Sequence, residues 1–453
     1  MKNDLASVEV SLYEVRHAIH PRAVHGWFAA WRWALVWATQ LVFYGLAWLE
    51  WNGRQAVLFD IAHRTFYIFG LVLWPQDVIY LAVLLILSAL ALFLFTAVAG
   101  RLWCGYACPQ TVYTEIFMWI ERRIEGDRNA RIRLDQAAWS WRKIAVKTAK
   151  HSAWIALALW TGFTFVGYFT PIRELAAEVA SLATGPWETF WIFFYGFATY
   201  GNAGWMREQV CKYMCPYARF QSAMFDSDTL IITYDRGRGE PRAKLSAAGK
   251  GGDCVDCGIC VQVCPTGIDI RDGLQYECIG CAACIDGCDQ VMDRVGRPRG
   301  LIRYSTARAM AGGSTRILRP RVLIYSAILG GVALAMAASL LLRVPLKVDV
   351  IRDRAAIARE VEGGAVENVY RLQIMNTSER ARRFEISVSG IPGIEIEGRR
   401  EVEVPAAETR TVPVRVRVSP GATPPGTHRI EFGVHDEEAE DVRVREKSVF
   451  ILR

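Results

Sequence analysis

Eight of the chain's twelve cysteines fall between positions 254 and 288, and that crowding constrains the fold more than any other feature. They form two runs. Cys254, Cys257, Cys260 and Cys264 follow the pattern Cys-x2-Cys-x2-Cys-x3-Cys, with Pro265 next; Cys278, Cys281, Cys284 and Cys288 repeat it. Three cysteines on one tight loop can reach three corners of one iron–sulfur cubane, whereas the fourth is carried away by the chain and meets a second cubane. The spacing therefore assigns Cys254, Cys257, Cys260 and Cys288 to one 4Fe-4S cluster, and Cys278, Cys281, Cys284 and Cys264 to another. Gly258 and Gly280 are small enough to let backbone approach the clusters. Asp289 stands where the first run has Pro265, which leaves the ligand count intact. Two zinc sites would also use Cys-x2-Cys elements, but they usually separate their pairs by a longer insert. Here four cysteines occupy eleven residues, twice.

The apolar residues are clustered as well. Hydrophobic types make up 52% of the sequence, with 16 Trp, and they collect in stretches at about 28–49, 78–99, 151–170, 187–205 and 322–342. A helix needs roughly 20 apolar residues to cross the hydrocarbon of a bilayer, so these five stretches read as spans. The first 20 residues are charged and lack the apolar core of a cleavable signal. Basic residues then set the orientation. Segment 101–150 carries ten Lys and Arg, and 206–320 is rich in them, whereas 51–77 holds only Arg54 and Arg64. The N-terminus, 101–150 and 206–320 are expected in the cytoplasm; 51–77, 171–186 and everything after 343 are expected outside. The net charge of +7 thus reflects loops at a membrane surface and calls for no nucleic-acid partner. All cysteines fall on the reducing side, which favours ligation or redox work over disulfides. The aromatic loop 51–77, with His63, Arg64 and Trp74 to Asp77, reads as an interfacial belt or as an access point for quinol or copper.

After Pro345 the pattern changes to the apolar–polar alternation of half-buried strands, in 369–376, 383–389, 412–418 and 428–434. About seven short strands separated by Pro-Gly turns suggest an immunoglobulin-like sandwich. The expected fold class is an α-helical membrane protein of about five transmembrane helices, with an inserted bacterial-type two-cluster ferredoxin domain and a C-terminal all-β immunoglobulin-like sandwich. Its expected domains are a cytoplasmic segment 1–27, a four-helix membrane domain 28–220, a ferredoxin-like domain 221–320, a fifth span 321–343 and an outer sandwich 344–453.

The other four cysteines form two Cys-x3-Cys-Pro elements, Cys104 with Cys108 and Cys211 with Cys215. Each follows a span running outside to inside, a weak internal repeat that would bring the pairs side by side. A spacing of four places both thiols on one face of a helix, and the following proline kinks the chain or starts a new helix. Thiolates and thioethers select soft ions such as Cu(I), and Met214 lies inside the second pair. Three readings stand here: a copper-handling site, a redox dithiol or third cluster, and buried cysteines with no chemistry. No histidine lies deep in a span, so membrane haem is not indicated, and no Cys-x2-Cys-His, dinucleotide or phosphate-binding motif is present. His17, His20 and His25 read as surface residues or as a metal-delivery cluster.

Taken together, Phe66 to Leu71, Trp74 to Asp77, Arg101 to Thr111, Gly162 to Tyr168, Cys211 to Tyr217, Tyr234 to Pro241 and both ferredoxin runs resemble the cytochrome c oxidase accessory protein family CcoG, also called FixG. The Cys-x3-Cys-Pro element alone is shared with membrane polyferredoxins of nitrate and nitrous-oxide respiration. The resemblance implies a bacterial inner-membrane protein that acts in assembly of cbb3-type oxidase and reduces Cu(II) to Cu(I). Its implied partners are membrane lipid, oxidase subunits or copper chaperones, and an electron donor, either quinol or a cytoplasmic reductant; a homo-oligomer is compatible. Cys104, Cys108, Cys211 and Cys215 are then the candidate catalytic residues, holding copper or a third redox centre. The alternatives are a quinol-oxidising relay to an extracytoplasmic reductase and a non-catalytic assembly scaffold.

Overall fold

The structure, a computed structural model, describes residues 19–244, 251–353, 358–439 and 441–452; His17 lies outside them. The chain forms two compact units, each assembled from separated stretches: 1–46, 86–167 and 175–330 in the first, and 47–85, 168–174 and 331–453 in the second.

The first unit holds α1 (Trp27–Leu46), α2 (Val78–Ala99) from Ile86 onward, α3 (Pro109–Glu125), α4 (Trp141–Val166) and α5 (Pro186–Thr199). Local sequence explains where these helices start. Ser140 caps α4 by accepting from the Lys143 amide, and proline occupies the first position of α3 and of α5. Helices α4 and α5 approach closely at Gly162, where a Cβ would lie 2.2 Å from the Ile192 carbonyl oxygen. Beyond α5 the chain winds into two π-helical segments, Tyr200–Met206 and Val210–Met214. The cysteine-rich region follows, closed by pairing of Ile231–Tyr234 with Ile302–Ser305 and containing α6 (Ala283–Arg294). Last comes α7 (Pro320–Leu341).

Helices thus occupy all five stretches expected to span. Two segments, Pro75–Ala99 and Pro320–Leu341, are long and apolar enough to cross a membrane. Of the others, α1 carries Arg32, α4 starts earlier than expected and takes in Lys143, Lys147 and Lys150, and α5 ends at Thr199.

The second unit holds nine C-terminal strands: β1 (Leu346–Arg352), β2 (Arg359–Glu360), β3 (Val366–Asn376), β4 (Arg382–Ser389), β5 (Ile394–Glu397), β6 (Glu401–Val404), β7 (Thr409–Val418), β8 (Gly426–Asp436) and β9 (Arg443–Leu452). They form one sheet in the order β5-β7-β3-β1, with β2 on β3, and another in the order β6-β4-β8-β9. The four alternating stretches read from sequence lie inside β3, β4, β7 and β8. Tyr370, Leu372, Phe384, Val416, Phe432 and Phe450 make a buried core between the sheets, and the Tyr370 hydroxyl donates to the Val449 carbonyl at 2.9 Å.

The aromatic loop 51–77 is a folded part of this unit. Val57–Asp60, Thr65–Ile68 and Leu71–Leu73 form a three-stranded sheet, and Val72 and Trp74 pack on Met375 of β3. Asp77 is buried, accepts from the Trp74 amide at 3.0 Å and is paired with Arg343 and Lys347.

Candidate iron–sulfur and thiol centre

The two cysteine runs fold as structural copies. In the first, Asp256 and Gly258 adopt left-handed backbone, φ 47° and 65°; in the second, Gly280 and Ala282 do so at the matching positions, φ 71° and 59°. Each loop thus reverses its winding on both sides of its second cysteine, the conformation that turns three consecutive thiols toward one point. Ala282 holds this conformation without being glycine, at a cost of about 1–2 kcal/mol, because it is fully buried in the packed loop.

The thiols surround two cavities. Cys254, Cys257, Cys260 and Cys288 line one of about 310 Å³, with Tyr234, Arg271 and Met292. Cys264, Cys278, Cys281 and Cys284 line the other, about 320 Å³, which Cys260 also borders. Electrostatics group them in the same way. Burial pushes the Cys288 thiol up to about 12, and Cys260, Cys257 and Cys254 add to the shift. Cys284 is raised well above the ordinary thiol value by burial and then by Cys281, Cys278 and Cys264. Buried thiolates without a counter-charge are disfavoured, and a bound metal supplies that charge. The residues present therefore fit iron–sulfur clusters. Among the described residues, no three His, Cys, Asp or Glu side chains converge on one ion-sized position.

Asp289 explains a difference between the copies. After the first run, the short helix Ile259–Gln262 stops before Pro265, whereas α6 runs through Asp289 to Arg294. Proline inside that helix would remove a hydrogen bond and clash; aspartate instead accepts from the Gly300 amide at 2.9 Å. Earlier on α6, buried Asp286 accepts from the Phe28 and Ala29 amides and so caps α1. Sequence reasoning missed this contact because its partners lie more than 250 residues apart.

The remaining cysteines gather beside the second loop. Burial pushes Cys211 up to about 12, with Cys108, Cys104 and Cys215 adding and Arg101 opposing; Cys108 is raised by burial and also by Cys104 and Cys215. Cys211 therefore feels the other three thiols, and Cys108 feels Cys104 and Cys215. Cys104 donates to Gln221 Oε1 at 3.0 Å. Gly105, between the first pair, packs on the second ferredoxin loop: a Cβ there would lie 2.8 Å from both the N and Cα of Cys281. Arg32 Nη1 donates to the Cys281 carbonyl at 2.5 Å and the Tyr304 hydroxyl to that of Gly280 at 2.6 Å.

Two ties hold the second pair against the first. Gln110 Nε2 donates to the Asn202 carbonyl at 2.9 Å and to that of Arg207 at 3.2 Å. Arg207, itself left-handed with φ 42°, reaches Glu121 of α3 at 3.0 Å. Glu121 also pairs with Arg131 at 2.7 Å and Lys150 at 3.6 Å. A cavity beside these thiols is bordered by Cys211 and Cys281 and by Glu115 and Glu208. Met214 is 57% exposed. His20 faces Asp135 at 3.4 Å, and His151 shares a hydrogen bond with Tyr200 at 2.9 Å.

Three family models match the chain. A 4Fe-4S binding domain matches residues 81–126, a 4Fe-4S dicluster domain residues 206–307, and the IG-like fold at the C-terminus of FixG residues 336–453. The protein RdxA of Cereibacter sphaeroides is 42% identical over 433 residues, covering 92% of each chain. The chain belongs to the FixG family. The nitrogen fixation protein FixG of Rhizobium meliloti is 41% identical over 429 residues, covering 85% of this chain and 82% of that protein. The ferredoxin-type protein NapH of Haemophilus influenzae is 25% identical over 218 residues, 45% of this chain and 66% of NapH. A crystal structure of a FixG-related protein from Vibrio parahaemolyticus, 24% identical, covers 24% of this chain and 97% of its own, with a TM-score of 0.22. This FixG-family chain is thus an iron–sulfur protein suited to redox work, with an immunoglobulin-like C-terminal region.

Proposed function

We propose that this protein is a membrane-bound electron-transfer protein that reduces Cu(II) to Cu(I) for assembly of cbb3-type cytochrome c oxidase. Cys254, Cys257, Cys260 and Cys288 would hold one 4Fe-4S cluster, and Cys278, Cys281, Cys284 and Cys264 the other. Bound clusters of this kind supply one-electron oxidation and reduction, which suits a substrate that needs one electron per ion. The observation that carries the reading is the seating of the Cys104–Cys108 turn directly on the second loop, through Gly105. Cys257 is the exposed member of the twelve, which makes the first loop the natural face for an electron donor. The cavity beside Cys211 offers carboxylate oxygens from Glu115 and Glu208 to incoming Cu(II).

The membrane reading rests on side chains that a soluble protein would not display: Leu81 and Leu85 on α2, Phe193 and Phe197 on α5, and Ile324 and Leu334 on α7 are all exposed. We infer five spans, with the cysteine-rich region cytoplasmic and the sandwich outside.

Purified protein, reduced anaerobically and then mixed with Cu(II) and a Cu(I)-selective chelator, should produce Cu(I) at one equivalent per electron stored. Oxidation of quinol by the same preparation without any Cu(I) would replace this reading with a quinol-oxidising relay.

A further inference from the structure

We infer that Cys104, Cys108, Cys211 and Cys215 hold a third four-iron cluster, seated against the loop of Cys278, Cys281 and Cys284. The inference deepens the electron-transfer reading proposed above and rests on it.

Ligand number is the first argument. The 4Fe-4S binding match at 81–126 contains just two cysteines, Cys104 and Cys108, half of the four that a cubane takes. The dicluster match at 206–307 contains ten, two more than two clusters require, and the surplus is Cys211 and Cys215. The structure brings that surplus to the unfilled half-set: Cys211 and Cys104 both pack against the buried core that holds Cys281 and Cys284.

Spacing is the second. Among the described residues no three cysteines close on one ion-sized point, in the quartet as in the eight that ring the two cavities. A single four-coordinate Zn(II) would need its sulfurs within about 4.6 Å of each other, twice the metal–sulfur distance. Four thiols that gather without closing on one point suit a polynuclear centre.

Backbone context is the third. Cys108 and Cys215 each adopt extended backbone at the N-cap of a helix, with Pro109 and Pro216 at its first position. Thiolates there face the positive ends of helices Pro109–Glu125 and Pro216–Ala223. Cys264 is likewise followed by proline, so the Cys-Pro step recurs. Gly105 then brings the first pair into backbone contact with Cys281.

The test is metal and sulfide analysis of the anaerobically purified full chain, with electron paramagnetic resonance of the reduced protein. Three clusters give about twelve iron atoms and about twelve acid-labile sulfides per chain. In Cys104→Ser with Cys211→Ser both fall to about eight, and the remaining two clusters keep their resonance signature. Should that variant fail to fold, the wild-type count decides alone, with Met214→Ala as a folded control that keeps twelve. Eight iron atoms in wild type, with or without one bound copper, overturns the third cluster. Twelve iron atoms with no production of Cu(I) keeps the cluster and removes the cupric reductase.

Discussion

Gly105 has space for a hydrogen where any other residue would put a carbon into the backbone of Cys281. Backbone cannot step aside as a side chain can, so Gly105→Ala should cost about 1–3 kcal/mol, read as a drop in unfolding temperature with early loss of cluster absorbance. Gly45 in α1 is the matching control, because a Cβ there meets nothing within 4 Å; Gly45→Ala should be neutral or stabilising, as alanine is in a helix. Equal behaviour of the two variants would mean that the Cys104 loop is free to move away from the ferredoxin loop. At this scale the sequence was most informative about the ligands, because cysteine spacing is itself a statement of geometry. It said less about what shapes the loops. Gly258 and Gly280 were visible as small residues, but Asp256 and Ala282 carry the same left-handed turns with no glycine to mark them. Glu208 belongs with these silent residues. Buried and bordering the cavity beside Cys211, it is expected to bind Cu(II), so Glu208→Gln should raise the KM for Cu(II) about tenfold, a loss of about 1.4 kcal/mol, and leave iron content unchanged.

Helices α3 and α4 and the first π-helical segment are held together by charges rather than by apolar packing alone. Glu121 lies buried among Arg131, Lys150 and Arg207, while Glu125 pairs with Lys147 and Lys150, both at 2.9 Å. Burial alone would raise the Glu121 carboxyl, but Arg207, Arg131 and Lys150 outweigh it and hold the group below the usual carboxylate range. A depressed folded value adds stability that is fully present above the unfolded carboxylate pKa of about 4.3. That stability is lost as pH falls through the lower folded value. Wild type should therefore lose stability progressively below pH of about 4.3, and Glu121→Gln should remove this part of the acid dependence. At neutral pH the variant leaves three buried cations short of a partner and should be destabilised by about 3–5 kcal/mol, measured by denaturant unfolding. An unchanged acid profile would place the titration elsewhere. The basic character of 101–150 was plain in the sequence and was read as a cytoplasmic loop. That several of these cations are instead paired and buried follows only from tertiary packing, since Glu121 and Arg207 are distant in the chain.

Across the whole molecule, chain order and compact units part company, and the second unit shows why that matters. Its strands β3, β4, β7 and β8 were legible because alternation with period two survives in any half-buried strand. The docking of 57–77 was not, since nothing in those residues names Met375 as their partner. Yet Trp74 and Val72 bury Met375, and Asp77 gathers Arg343, just before β1, and Lys347, within β1. The sandwich therefore packs its Met375 against residues about 300 positions earlier in the chain. Trp74→Ala in the full chain should cost about 3–5 kcal/mol through the lost contact and the cavity left behind. Asp77→Ala should cost a similar amount by leaving Arg343 and Lys347 without their carboxylate. Hydrogen exchange can localise both effects: amides of Val366–Asn376 and Leu346–Arg352 should exchange faster in either variant, whereas those of Gly426–Asp436, in the opposite sheet, should change less. Iron content should be unaffected, because every cysteine belongs to the other unit. If exchange rises equally in both sheets, the sandwich unfolds as one cooperative body and the early segment is needed for all of it. If neither sheet responds, the segment rests on a domain that is complete without it.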